Sequence, residues 1–213
     1  MSRPRVLLAD DHTIVTEGLK SILNPEFDLV GTAEDGRTLL TAAEELQPDV
    51  IVADITMPHL NGLDAVRLLK KKNDRAKVVF LTMHSDADLA TEAFRAGASG
   101  YLLKQSAGEE LITAIRTVLQ GEVYVTPHLK EEVLEAFVRA GSDPNPPSMN
   151  LTARQREVLQ LVAEGHTMKE IASALHVSTR TVESHKYDVM EKLGLETTAE
   201  LIQYAIKRGI VSL

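Results

Sequence analysis

The 213-residue chain contains no cysteine and no tryptophan, and only 4% of its residues are aromatic. Without cysteine there are no disulfides, no thiolate metal sites and no cysteine nucleophiles. Long hydrophobic runs are also missing. The apolar stretch before Asp10 is too short for a signal peptide, and no later stretch reaches the ~18 apolar residues of a membrane span. The sequence therefore predicts a cytoplasmic protein that has no membrane partner.

The charge of the chain is unevenly distributed along its length. The net charge is -8, yet residues 149–213 contain eight basic and eight acidic residues, so the first 148 residues carry 15 basic and 23 acidic ones. An acidic segment suits a metal site or a basic partner. A neutral segment can bind DNA only if its basic residues share one face.

A proline-rich segment at 141–150, GSDPNPPSMN, interrupts all periodicity and marks a domain break. We predict a first domain at 1–125, a linker helix with a proline-rich linker at 126–150, and a second domain at 151–213. The linker helix is expected to run from Pro127 to Ala140, where Gly141 ends it.

The first domain alternates short β-branched or leucine-rich runs with amphipathic stretches. Strands are predicted at 5–9, 28–33, 50–53, 77–81 and 100–103. Five strand-helix repeats are typical of a doubly wound α/β fold, with a five-stranded parallel sheet and helices on both faces. The second domain shows only helical patterns, and four helices fit a small all-α domain.

Polar residues stand at the carboxyl ends of the predicted strands, where open parallel sheets bind ligands. Asp10 and Asp11 end the first strand, Asp54 ends the third, Thr82 follows the fourth and Lys104 follows the fifth. A 2-1-3-4-5 strand order brings the three carboxylates together. Because like charges repel at short range, a hard divalent cation is expected among them, Mg²⁺ for preference.

This set of side chains suits phosphoryl transfer, which depends mainly on positioning and charge neutralisation. Asp54 is the candidate nucleophile, because the turn-forming Met57-Pro58 and Asn61-Gly62 that follow can carry it towards solvent. Lys104 would pair with the phosphoryl group, and Thr82 would donate a hydrogen bond to it.

The segments LLADDH, ADITMPHLNG, LTMH and GYLLK resemble the receiver domain of bacterial two-component response regulators. The resemblance implies a flavodoxin-like receiver fold and a sensor histidine kinase that phosphorylates Asp54. It implies Mg²⁺ ligands from Asp10, Asp11, Asp54 and the main-chain carbonyl of Thr56. It also implies that three residues read the modified state: Thr82, Tyr101 and Lys104. Three nearby histidines fit no metal-cluster spacing and are interpreted as surface residues: His12, His59 and His84.

In the second domain, 167–193 predicts two helices joined by a turn at His176-Val177-Ser178, the helix-turn-helix plan. Ser178 is the expected cap of the second helix. The segments LTARQREVLQLVAEG, KEIASAL, STRTVESH and EKLGL resemble the LuxR-type helix-turn-helix, and the whole chain is similar to the NarL/FixJ class of response regulators. The resemblance places these residues at bases or phosphates: Lys169, Thr179, Arg180, Thr181, Glu183, Ser184, His185, Lys186 and Tyr187.

The function predicted from both halves is transcription control by phosphorylation of Asp54, through sequence-specific binding to double-stranded promoter DNA. A homodimer is expected on DNA, because two copies double the phosphate contacts of a neutral domain. The last helix offers apolar residues for pairing: Leu201, Ile202, Ala205 and Ile206. The chain is not expected to be an enzyme beyond its own phosphoryl transfer and autodephosphorylation.

Two alternatives come from other classes of protein. A Mg²⁺-dependent phosphohydrolase would pass through an aspartyl-phosphate, but Thr56 stands where a second acid would be needed as general acid. A protein that sequesters partners without binding DNA is the other alternative, because Asp188 would repel a nearby phosphate. Turnover of a phosphate ester would identify the first, and a gel shift against genomic fragments would decide the second.

Overall fold

The computed structural model describes residues 3–72, 75–142 and 151–211, with side chains described outside 140–142. Its contacts divide the chain into two units, Met1–Val138 and Arg139–Leu213. Residues 126–138, predicted as part of the linker, thus pack with the first unit. The proline-rich part of the predicted linker at 143–150 lies outside the described residues.

A parallel sheet forms the centre of the first unit, as predicted for this α/β fold. Its strand order is β2-β1-β3-β4-β5-β6. The predicted five strands were one too few, because a short sixth strand pairs with the edge of β5. The strands are β1 (Arg5–Ala9), β2 (Asp28–Ala33), β3 (Val50–Ala53), β4 (Lys77–Thr82), β5 (Gly100–Leu103) and β6 (Tyr124–Val125).

Helices cover both faces of this sheet, and as a result its inner strands are buried on both sides while the edge strands β2 and β6 are only partly buried. Strands β3 and β5 are buried along their whole length, which is why they appear in the sequence as continuous apolar runs. One apolar cluster on each face holds the helices in place. The helices are α1 (Thr13–Leu23), α2 (Gly36–Leu46), α3 (Gly62–Lys71), α4 (Ala87–Ala96) and α5 (Ala107–Leu119).

The predicted linker helix begins as a 3₁₀ turn at Pro127–Leu129 and continues as α6 (Lys130–Ser142). The expected stop at Gly141 was wrong, since the helix passes through it. One glycine costs a helix only about 1 kcal/mol. Leu129 and Val133 are buried in the apolar cluster on one face of the sheet, whereas Leu134 and Val138 are 66% and 69% exposed.

The second unit is a four-helix domain with its own apolar core. Its helices are α7 (Ala153–Ala163), α8 (Met168–Ala174), α9 (Thr179–Leu193) and α10 (Thr198–Lys207). Thr152 and Thr167 form complete capping boxes at the starts of α7 and α8. Ser178 caps α9 by accepting the Thr181 amide at 3.1 Å, as the sequence predicted.

None of the helices in the described part of the chain has the length and apolar character required to cross a membrane.

Candidate functional site

An ion cluster lies at the carboxyl ends of β1, β3 and β5. The Lys104 Nζ atom is 2.7 Å from Asp10 Oδ2 and 2.7 Å from Asp54 Oδ2. Asp10 and Asp54 are each only 5% exposed. The structure thus brings together three of the predicted site residues, with one ammonium group between two buried carboxylates.

Strand register explains why these residues meet. Ala9 pairs with Ala53, so the residues that follow, Asp10 and Asp54, leave neighbouring strands at the same level. The Asp54 amide donates to the Ala9 carbonyl at 2.8 Å, which extends the pairing by one step. Lys104 follows β5, and its side chain reaches across β4 towards β3 and β1. The juxtaposition is therefore a consequence of the strand order that the sequence predicted.

Burial and charge act on the site in opposite directions. Burial raises the pKa of Asp54 above 3.8, and the neighbouring Asp10 adds to this, while Lys104 opposes it; the result is a raised pKa. Burial alone would lower the pKa of Lys104, but the carboxylates of Asp54 and Asp10 raise it above 10.5. Lys104 therefore stays protonated at neutral pH and compensates the buried negative charge.

Asp11 and His12 complete an acidic group at the rim of the cluster. The carboxylate and imidazole atoms of four residues lie within 4.8 Å of one another: Asp10, Asp11, His12 and Asp54. His12 Nδ1 is 3.2 Å from Asp10 Oδ1 and 2.9 Å from Asp11 Oδ1, although its side chain is 58% exposed. Hard cations prefer oxygen donors, so the three carboxylates are the part of this group suited to Mg²⁺.

The loop after Asp54 is held tightly against the site. The Gly62 amide donates to the Ile55 carbonyl at 2.8 Å, and a Cβ at Gly62 would lie 2.0 Å from the Asp54 carbonyl oxygen. Only glycine fits at this distance. The Asn61 side chain accepts the Asp64 amide at 2.9 Å and so caps α3.

His84 was predicted to be a surface residue, and this was wrong. It is half-buried, and its Nε2 atom lies 3.1 Å from Thr56 Oγ1. Its amide donates to Thr82 Oγ1 at 3.2 Å, and its carbonyl accepts the Tyr101 hydroxyl at 2.7 Å. His84 thus joins three predicted site residues, and the only sequence signal was its position two residues after Thr82.

Thr82 and Tyr101 are both fully buried beneath the site. Burial raises the pKa of Tyr101 well above 10, with smaller contributions from Asp86 and Asp54, so the phenol stays neutral and donates its hydrogen bond. The Thr56 amide donates to Asp54 Oδ1 at 3.3 Å, which places the Thr56 peptide beside the acidic cluster.

In the second unit, one face of α9 presents side chains to solvent. Arg180, Glu183, Ser184 and Tyr187 are exposed, and their spacing of three to four residues puts them on the same side of the helix. Lys169 on α8 is also exposed. An exposed helix face with mixed polar side chains is what major-groove recognition uses.

Other predicted DNA-contacting residues have partners within the domain. Lys186 Nζ donates to Thr198 Oγ1 at 2.6 Å, which ties α9 to the start of α10. Thr181 Oγ1 lies 2.7 Å from Ser178 Oγ, within the cap of α9. Thr179 and His185 are half-buried, and the Nδ1 atom of His185 is buried without a hydrogen-bond partner among the described residues.

The predicted pairing surface on α10 needs correction. Leu201 and Ala205 are fully buried in the core of the helical domain, so they are not available to a second copy. Ile202 and Ile206 are only partly buried. The 3.6-residue period identified the apolar face of α10, but this face packs on α7 rather than on a partner.

Both parts of the chain match known families. The family model described as response regulator receiver domain matches residues 6–116, and the one described as bacterial regulatory proteins, luxR family, matches residues 149–205. Among curated relatives, the transcriptional regulatory protein MctR of Rhizobium johnstonii is 38% identical over 98% of this chain and 95% of its own length. The oxygen regulatory protein NreC of Staphylococcus carnosus is 37% identical, over 97% and 99%.

Solved structures of the response regulator RcsB from Salmonella typhimurium are also similar. One covers 100% of both chains at 27% identity with a TM-score of 0.67. Another, bound to a promoter in the presence of the phosphomimetic BeF3⁻, covers 95% of this chain and 98% of its own at 27% identity, with a TM-score of 0.65.

Proposed function

Because this chain belongs to the two-component response regulators with a LuxR-type DNA-binding domain, we propose that Asp54 is the phosphoacceptor through which it regulates transcription. The observation that carries this assignment is the Lys104 ammonium group, 2.7 Å from both Asp54 and Asp10. A buried nucleophilic carboxylate beside a fixed cation suits the transfer of a doubly negative group.

The reaction is a single displacement at phosphorus. An Asp54 carboxylate oxygen forms a bond to the phosphorus of the donor, and the bond to the leaving group breaks. The leaving group, the imidazole of a kinase histidine or a small carboxylate, takes the electron pair. Asp54 must be ionised to attack, and the ammonium of Lys104 is positioned to neutralise charge on the transferred oxygens.

The donor set fits Mg²⁺. Asp10, Asp11 and Asp54 would hold the ion together with the main-chain carbonyl of Thr56. In support, Asp10 Oδ2 is buried and accepts no hydrogen bond of good geometry among the described residues, although it faces Lys104. When bound, the ion would neutralise charge on the carboxylates and phosphoryl oxygens.

Thr82, Tyr101 and Lys104 read the modified state in this proposal. Thr82 Oγ1 accepts the His84 amide, and Tyr101 donates to the His84 carbonyl, so a movement of Thr82 towards a phosphoryl group disturbs both bonds. This links the site to the segment between β4 and α4.

We assign promoter recognition to the exposed face of α9 and expect two copies to bind neighbouring half-sites in the cytoplasm, where the DNA and the histidine kinase are accessible. The chain is expected to turn over no separate substrate. Thr56, bonded to His84, offers no acid at the position that a phosphohydrolase would need.

A gel shift with promoter DNA tests the proposal. Wild type and Asp54→Ala are compared with and without acetyl phosphate and Mg²⁺, and phosphorylation is followed by intact mass. We expect a mass increase by one phosphoryl group and a change in DNA affinity for wild type only. A phosphorylated Asp54→Ala protein, or an affinity that is equal in all states, would contradict the assignment.

A further inference from the structure

A segment between the two family matches is hydrogen-bonded to β5, the strand that leads to Lys104. The matches end at residue 116 and begin again at 149, and β6, the 3₁₀ turn and α6 lie between them. Within this segment, Thr126 is fully buried. Pro127, whose fixed φ suits the first residue of a helical turn, follows it and begins the 3₁₀ turn that leads into α6.

Thr126 bonds in two directions. Its amide donates to the Tyr101 carbonyl at 3.0 Å, and its Oγ1 atom accepts the Leu103 amide at 3.1 Å. Its own carbonyl accepts the Leu129 amide at 2.9 Å, which closes the turn that leads into α6. One residue therefore connects two positions of β5 with the start of α6.

The Leu103 amide is close to the reacting groups because Lys104 is the next residue. Fixing the Leu103 amide limits where Lys104 can place its side chain, whose Nζ atom bridges Asp10 and Asp54. We propose, on the basis of the function assigned above, that Thr126 is a positioning residue with two effects. It holds Lys104 in place, and it transmits to α6 the displacement of Lys104 that follows phosphorylation of Asp54. A phosphoryl group on Asp54 draws Lys104 away from its two carboxylates and strains the Leu103–Thr126 bond.

The way α6 packs on the first unit allows it to respond to this change. Leu129 and Val133 pack in the same apolar cluster as Tyr101, and the ring of Phe137 lies 6.0 Å from that of Phe94 on α4. Ala136 is 1% exposed. Further along α6, Leu134 and Val138 are exposed, and the described apolar contacts hold the helix through its opposite face. When the Thr126 bond is lost, α6 loses part of this attachment.

Thiol labelling measures this docking, because the chain has no cysteine of its own. In full-length protein carrying Ala136→Cys, we expect acetyl phosphate with Mg²⁺ to raise the labelling rate about tenfold, the effect on an equilibrium of losing one buried hydrogen bond. Leu134→Cys is the matched control on the same helix. It is exposed already and should be labelled at the same rate in both states.

Thr126→Val and Thr126→Ser then test the hydroxyl group itself. Thr126→Val should slow phosphorylation of Asp54 about fivefold to tenfold. When the phosphorylated fraction is matched to that of the protein with the natural Thr126, the thiol at position 136 should be labelled at the same rate in phosphorylated and unphosphorylated protein. Thr126→Ser, which keeps the hydroxyl, should restore the phosphorylation rate and the difference in labelling rate between these two states. A purely structural role would speed labelling in both states and preserve their ratio.

The outcomes separate this inference from the assignment of Asp54. If intact mass shows no phosphorylation of wild type, the proposed function fails. If Ala136→Cys protein with the natural Thr126 is phosphorylated but its labelling does not change, the inference fails alone, whether or not Thr126→Val folds. The inference would also be overturned if phosphorylation still changed the labelling rate of the thiol at position 136 in the Thr126→Val protein.

Discussion

Replacing Lys104 by methionine measures how much the ammonium group contributes to the free energy of unfolding. Lys104→Met keeps an unbranched side chain and removes the ammonium group. The Lys104 side chain is 9% exposed, and the carboxylates that it bridges, on Asp10 and Asp54, are 3% and 6% exposed. Without Lys104, two buried carboxylates face each other without their common cation.

The expected loss of stability is large. Removing one partner of a buried ion pair costs about 3–5 kcal/mol, because the remaining charge stays buried without compensation. For a protein of this size, this corresponds to a fall in Tm of roughly 10 °C. Lys72→Met is the control, because the Lys72–Glu44 pair is 3.2 Å long with side chains 63% and 69% exposed. An exposed pair of this kind contributes at most about 1 kcal/mol.

The loss of stability caused by Lys104→Met depends on pH in a defined direction. The pKa of Asp54 is already raised in the folded protein, and removing Lys104 takes away the interaction that opposes this rise. A raised folded-state pKa means that stability is lost as the pH rises through it and is recovered below it. The Lys104→Met deficit should therefore be largest at neutral pH and shrink under acidic conditions.

Calorimetry of wild type, Lys104→Met and Lys72→Met in the presence of EDTA checks these expectations at neutral and acidic pH. Adding Asp54→Asn to Lys104→Met should restore most of the stability, since one buried carboxylate then remains. Equal stability of Lys104→Met and Lys72→Met at neutral pH would refute the reasoning, as would a deficit that grows on acidification.

Three further predictions concern the loop after Asp54, the Asp54 carboxylate itself and the exposed face of α9. Gly62→Ala should abolish phosphorylation by acetyl phosphate, because its Cβ would meet the Asp54 carbonyl at 2.0 Å, whereas Gly108→Ala, with nothing within 4 Å, should phosphorylate normally. Asp54→Asn should stabilise the metal-free protein at neutral pH in calorimetry, and the gain should vanish as the pH falls through the raised pKa of Asp54. Tyr187→Ala, which would remove a base contact, and Arg180→Ala, which would remove a phosphate contact, should each weaken promoter binding in gel shifts about tenfold, with thermal stability unchanged since both side chains are exposed.

Four of the five main strands, β1, β3, β4 and β5, could be predicted from the sequence because they are largely buried apolar runs, whereas β2 is an edge strand in which only the last residue is buried. The 2-1-3-4-5 order of the five strands, which is the one expected of a flavodoxin-like receiver, determines that Asp10 and Asp54 meet. Strand β6 could not be predicted in this way. It is two residues long, half-buried, and defined by its pairing with Gly100 and Tyr101. No local pattern of two residues carries information about such a distant partner.

The contacts of His84 and Thr126 escaped prediction for the same physical reason. His84 meets Thr56 across 28 positions of sequence, and Thr126 meets Leu103 across 23. Each is a polar residue whose role depends on the loop or strand opposite. Residues at strand ends are different, because the sheet topology alone brings them together. The sequence thus predicts the reacting groups better than the side chains that hold them.

Contacts within the second unit also bear on which of its cations can bind DNA. In the second unit, Lys186 bonds to Thr198 and Lys192 bonds to Gln155, while Arg154 reaches Glu157 and the Leu175 carbonyl. These cations stabilise the domain, and contacts of this kind compete with phosphate contacts. Exposed Lys169 and Arg180 are then the principal candidates for the DNA backbone. Because each phosphate contact adds to affinity, one copy of a neutral domain, several of whose cations are bonded within it, should bind weakly. We therefore expect regulation to act on the pairing of two copies at neighbouring half-sites.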